Sequence, residues 1–297
     1  MPVNDELGIR MKTFYEQIPK TKLMRRTPVA IRLDGKAFHT FTRGFQKPFD
    51  EVLIKSMQDT MKYLCENIQG CVLGYTQSDE ITLILVDYKK LTSSAWFDYE
   101  VQKMCSVAAS MATMAFNKAF NKWVTLEIGC LEHKTIDGTD INTDEFFNKV
   151  HQNRDLIKVY RKAIEKGAMF DARVFNIPKE EVTNLLYWRQ LDATRNSIQM
   201  VGQANFPHKE LQNKSCNMIQ DMLFTQKGIN WNDLPTTQKR GSCCIKTDMT
   251  TTFAITDENG EVVTGATERP HWVIDDNIPI FKEEGREYIN KLIFVGE

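Results

Sequence analysis

The sequence predicts an α+β fold, a split ferredoxin-like sheet of order βαββαβ with additional helices and a C-terminal β-hairpin extension. Three observations carry that prediction. Short β-branched runs end in acidic turns, runs of helical apolar spacing separate them, and the C-terminal segment alternates in polarity around an Asn-Gly pair.

The first strand is predicted at 28–33 (Pro-Val-Ala-Ile-Arg-Leu), a buried run delivering Asp34-Gly35 into a turn. From Phe49 to about Asn67, Val52, Leu53, Met57, Met61 and Leu64 recur at helical spacing, so an amphipathic helix follows. Gly70 stops it. Cys71–Tyr75 and Ile81–Val86 then read as two strands flanking Thr76-Gln77-Ser78-Asp79-Glu80. A second helix, about Phe97 to Asn121, is rich in small residues that let it lie close to a sheet. A strand at Arg173–Ile177 completes the sheet. Leu126–Met169 is polar, with a helical run at 144–166, and reads as a peripheral insertion. Further helices are expected at 180–200 and 208–227, a structured turn at 230–235, and a hairpin from Ser242 to Trp272. The expected organisation is a domain of residues 1–241, carrying an insertion of about 129–168, and an extension of 242–297.

Length and composition exclude several classes. With 297 residues and 42% hydrophobic content, the chain holds enough apolar mass for one substantial core with appendages, so disorder is not expected. The 38 basic and 39 acidic side chains nearly cancel, so a nucleic-acid partner requires a local basic face. No apolar run approaches the roughly 18 residues of a membrane span, and the start lacks the pattern of a secretory signal. A cytoplasmic protein with no membrane partner is expected. The 7 cysteines are odd in number and scattered, which predicts reduced thiols rather than disulfides or zinc ligands.

Asp34 at a strand end and Asp79 on the neighbouring hairpin are the candidate metal ligands. Hard Mg²⁺ ions take oxygen ligands, commonly one or two carboxylates plus substrate phosphates, and two such ions activate a 3′-hydroxyl and steady leaving pyrophosphate. Amides following Asp34, with Gly35 free of side-chain bulk, suit a triphosphate. Neither fragment is specific alone, because Asp-Gly is a common turn pair and Ser-Asp-Glu decorates hairpins.

Six ordered blocks add to this reading: Arg32-Leu33-Asp34-Gly35-Lys36-Ala37-Phe38-His39, Lys47-Pro48-Phe49-Asp50, Tyr75 to Glu80, Phe170 to Val174, Tyr187 to Asn196, and Lys227 to Pro235. In order and spacing they resemble the tRNA(His) guanylyltransferase superfamily. The resemblance implies a polymerase-like palm that extends RNA in the 3′-to-5′ direction after ATP or GTP activates a tRNA 5′ end. It implies two Mg²⁺ ions on Asp34, the Gly35 backbone and Asp79. It also implies nucleotide contacts from Asp34, Gly35, Lys36, Ala37, Phe38, His39, Ser78 and Asp79, and a typically homotetrameric assembly. Glu80 matches an acidic residue required for activity, but strand alternation turns it to the face opposite its neighbour's, so a supporting role is expected. Lys47 matches a lysine linked to the activation step. His39 is expected to serve through its backbone or by packing, rather than as a general base. Lys103, on the helix behind the hairpin, is a candidate for a second triphosphate. Arg173, Arg189 and Arg195 are candidates for phosphate contacts.

One block departs. Where histidine-tRNA-specific members carry His-Ile-Asn-Asn, this chain reads Thr194-Arg195-Asn196-Ser197. That resembles instead the guanylyltransferase-like branch that repairs truncated 5′ ends by templated addition. The alternatives are guanosine addition to tRNA(His), and a catalytically idle RNA-binding palm. A nucleotide cyclase also uses such paired carboxylates, but the later blocks suggest no purine-reading site or dimer interface across the cleft.

Overall fold

The computed structural model describes residues 5–136, 143–256 and 262–293. A short helix, α1 (Glu6–Met11), precedes β1 (Val29–Gly35), α2 (Phe38–Phe41), α3 (Glu51–Asn67), β2 (Cys71–Gln77) and β3 (Glu80–Leu85). Two long helices, α4 (Val101–Ile136) and α5 (Thr143–Lys166), lead to β4 (Phe170–Asn176). Next come α6 (Lys179–Asn205), α7 (His208–Leu211), α8 (Cys216–Lys227), α9 (Thr236–Arg240), β5 (Ser242–Thr256), β6 (Val262–Asp275) and α10 (Glu287–Asn290).

The six strands of the described residues form one antiparallel sheet of order β4-β1-β3-β2-β5-β6. Its first four strands have the ferredoxin-like order, with α3 linking β1 to β2, and α4 with α5 linking β3 to β4. The hairpin continues that sheet, since Ser242–Ile245 pair with Leu73–Thr76 of β2. Its Asn259-Gly260 tip lies outside the described residues.

The pleat sorts β1 into two faces. Val29, Ile31 and Leu33 bury against Met57, Met61 and Leu64 of α3 and Met104, Ala108 and Phe116 of α4. Ala30 faces the other way, toward Val182 and Leu186 of α6 and Ile289 of α10. Arg32 and Asp34 share that second face by alternation, so the acidic strand end emerges beside α6.

The peripheral insertion expected after Leu126 requires correction. α4 runs unbroken past the expected end near Asn121, and α5 returns along it. On α5, Leu156, Val159, Tyr160 and Ala163 recur at helical spacing and pack on the main core, with Tyr160 fully buried. The segment reads as polar because only this one stripe is apolar. The expected helix at 208–227 divides into α7 and α8, because Ser215 caps α8 by accepting from the Met218 amide at 3.3 Å.

Among the described residues no helix is long and apolar enough to cross a membrane. The described cysteines are free thiols. Burial pushes Cys65 upward, which keeps it protonated beside Cys71 and Cys244.

Candidate active site

Two turns meet at one end of the sheet. β1 ends on Gly35, where an added Cβ would lie 2.2 Å from the Phe38 ring, so only glycine lets that ring close over the backbone. The chain then turns through Ala37 in the left-handed region (φ 54°), and the Phe38 ring packs against Phe41, Phe116 and Phe170. The β2–β3 hairpin turns through Ser78, also left-handed at φ 51°. Such conformations cost energy in non-glycine residues and persist where surrounding structure imposes them. A hydrogen bond from the Gly35 amide to the Asp79 carbonyl, 3.1 Å, locks the turns together.

A cleft of about 730 Å³ opens over this junction. Asp34, Gly35, Ala37, Phe38 and His39 line it from one turn, Ser78 and Asp79 from the other, and Lys47 from the loop before α3. The amides of Ala37, Phe38 and His39 make no hydrogen bond among the described residues, which leaves three donors beside the carboxylates. Those of Gly35 and Lys36 are engaged: Lys36 donates to the Met169 carbonyl at 2.9 Å. The expected cradle therefore starts at Ala37, and the Lys36 side chain does not line the cleft.

Burial is the main reason Asp79 stands above its ordinary carboxyl range. The charge of Asp34 adds to this, while a backbone hydrogen bond and the Ser78 hydroxyl, which donates to Oδ1 at 3.1 Å, pull the other way. Asp34 is likewise raised, first by burial, then by Glu80 and Asp171, against Arg173 and Arg32. Those arginines are occupied, Arg173 by Asp171 at 3.3 Å and Arg32 by Glu80 at 2.8 Å. No ion pair among the described residues takes up Asp34 or Asp79. Two partly desolvated carboxylates with no cation of the protein's own form a donor set suited to hard divalent ions. No cluster of three or more His, Cys, Asp or Glu side chains forms among the described residues, so a divalent ion held here would also need backbone and substrate oxygens.

The neighbouring acids differ. Glu80 is buried under α6, where its two oxygens accept from Arg32 Nη2 and, at 2.7 Å, from Arg189 Nε. It does not line the cleft, in keeping with a supporting place at the base of the hairpin rather than a direct catalytic one. Asp50 lines the cleft but is fully engaged: it accepts from the Gln46 and Leu53 amides, each at 3.0 Å, and from the Tyr160 hydroxyl at 2.8 Å.

Two more expectations are revised. Lys103 stands in the first turn of α4, with Phe116 near the cleft about 20 Å further along the helix at ~1.5 Å per residue. Its ammonium lies over the Phe97 ring at 4.7 Å, so the fold does not bring it to this cleft. Arg189 is only 5% exposed and spent on Glu80 and Asp192, which removes it from the phosphate-contact candidates. Arg195 is exposed and paired with Asp192. Met200 and Gln203 of α6 line the cleft without having been anticipated. The signal was present, since Asn196, Met200 and Gln203 follow i, i+4, i+7 spacing, and Asn196 lines the adjoining pocket.

The chain matches the family model described as tRNAHis guanylyltransferase over residues 8–178. Its fold is similar to a bacterial tRNA(His) guanylyltransferase-like protein solved in complex with ATP, at 37% identity and TM-score 0.71, covering 98% of this chain and 100% of that one. A bacterial protein of the same description solved with GTP is 36% identical at TM-score 0.67, with the same coverage. An uncharacterized protein of Acanthamoeba polyphaga mimivirus is 29% identical over 272 residues, 86% of this chain and 83% of that protein. With its first three blocks lining one cleft and the family model matching more than half of its length, the chain belongs to the tRNA(His) guanylyltransferase family of nucleotidyltransferases.

Proposed function

We propose that this chain is a metal-dependent nucleotidyltransferase that adds nucleotides to the 5′ end of a tRNA, in the 3′-to-5′ direction and under the direction of the opposing strand. The observation that carries this reading is the pair Asp34 and Asp79, raised, without ion pairs among the described residues, and lining one cleft with three amides that have no partner there. Similar bacterial proteins were solved with ATP and with GTP, which supports those two nucleotides as substrates.

Asp34, the Gly35 carbonyl and Asp79 are the oxygens that would hold two Mg²⁺ ions. When bound, such ions lower the pKa of an attacking hydroxyl and stabilise leaving pyrophosphate. The chain supplies the rest. The amides of Ala37, Phe38 and His39 bind triphosphate oxygens, and Lys47 adds a positive charge to the same cleft. Ser78 orients the Asp79 carboxylate, while Glu80, Arg32 and Arg189 hold the hairpin beneath it. The resemblance extends the proposal to a homotetramer acting in the cytoplasm.

Replacement of the His-Ile-Asn-Asn block by Thr194 to Ser197 favours 5′-end repair. The family's name supports a second reading, addition of one guanosine to tRNA(His). One assay separates them: a 5′-truncated tRNA is incubated with Mg²⁺, ATP and each nucleoside triphosphate while the opposing base is varied. Templated repair predicts that the added nucleotide follows the opposing base. Guanosine addition regardless of that base supports the second reading, and no addition to any tRNA overturns both.

A further inference from the structure

At the opposite end of the sheet, where β2 starts and β3 ends, lies another pocket of about 430 Å³. Three segments far apart in sequence converge on it: Lys89 follows β3, Lys246 lies on β5 and Lys291 follows α10. Neither aspartate nor glutamate lines it among the described residues. Among the described residues, none of the three lysines has a carboxylate within ion-pair distance. Lys246 and Lys291 instead rest over the rings of Trp272 and Tyr288, at 5.1 and 5.4 Å. Gln69, Ser93 and Ser94 add neutral polar groups to the rim, with Gln69 Nε2 donating to Ser94 Oγ at 2.7 Å.

Three like charges in one concavity repel, and in a chain of net charge -1 this concentration is not a general property of the surface. A ligand carrying several phosphates relieves the repulsion and releases counterions. Among the described residues the lining includes no aromatic ring, so these residues offer no platform for a base. Lysines act as point charges that grip phosphate without reading sequence. β2 runs from this pocket at Cys71 to the catalytic turn at Ser78, about 20 Å at ~3.3 Å per residue.

We infer that Lys89, Lys246 and Lys291 form a phosphate site for the backbone of the same RNA whose 5′ end is extended, about 20 Å from the chemistry. This rests on the RNA-extending reading above. The test compares wild type with the triple variant Lys89→Ala, Lys246→Ala, Lys291→Ala, and with the corresponding triple Arg variant. Anisotropy with labelled 5′-truncated tRNA is followed from about 50 to about 200 mM KCl. In the Ala variant the slope of log affinity against log salt should fall by about 2 to 3, with affinity weaker at every salt concentration. The Arg variant should keep both, and the KM for ATP should not change. An Ala variant with wild-type affinity and slope overturns the inference. So does protection of the three lysines from acylation by inorganic tripolyphosphate but not by tRNA, which would mark a small-anion site. If wild type itself neither binds nor extends RNA, the functional reading falls with it, a failure visible without any lysine variant.

Discussion

The cleft and the ground beneath α6 are adjacent, and both are acidic, yet they treat their carboxylates in opposite ways. Under α6, Glu80 meets two arginines, and Arg189 passes the connection on to Asp192 and Arg195, so each charge has a partner. In the cleft, Asp34 and Asp79 are left without cations, beside two left-handed turns and amides without acceptors. One region spends its polar groups on holding position. The other leaves them uncommitted, and that contrast is what the proposed site rests on.

The sharpest way to break that contrast is Asp79→Ala. Transfer of labelled nucleotide should fall about 10³-fold or more, since several kcal/mol of metal-dependent stabilisation are lost. RNA affinity, measured by anisotropy, should be retained. Retained transfer would move the chemistry elsewhere.

Glu80→Ala tests the other region. Removing it strands Arg32 and Arg189, and breaking a buried charge cluster in this way costs about 3–5 kcal/mol. Chemical denaturation should show that loss. A variant as stable as wild type but inactive would return Glu80 to the chemistry.

The smallest effect has the opposite sign. A carboxyl raised in the folded state favours the fold while protonated. Its contribution therefore shrinks as pH climbs from the ordinary value of 3.8 to the raised one, leaving a penalty at neutral pH. Asp79→Asn should stabilise the metal-free protein at pH 7 by on the order of 0.5–2 kcal/mol while abolishing transfer. The gain should vanish as pH is lowered toward 3.8. Thermal unfolding in a chelator measures both, and a destabilised Asn variant would contradict the account.

The acidic pair was legible in the sequence because its positions are set locally. A β-branched run ending in Asp34-Gly35 and a two-residue turn at Ser78-Asp79 announce themselves within a few residues, and sheet pairing brings them together. The βαββ part of the palm and the existence of a terminal hairpin were legible for the same reason, but not that α5 packs on the core or that the hairpin joins the sheet through β2. What depends on long-range contact was not. That Arg189 faces Glu80 follows only once α6 crosses the sheet, 109 positions away in sequence. Lys103 looked close to the site because its helix is, but a helix of 36 residues has two distant ends. Tyr160 was hidden in a polar stretch, since a single buried stripe leaves most of a helix hydrophilic.

Phe38 touches Phe41 and Phe116, Phe116 stacks on Phe120, and Phe120 and Phe45 both meet Tyr160, whose hydroxyl reaches Asp50 on the far wall. Both walls of the cleft thus hang from one aromatic ladder. A void cut into a middle rung would let the walls drift relative to each other, so damage there would surface as misaligned reactants well before it surfaced as unfolding.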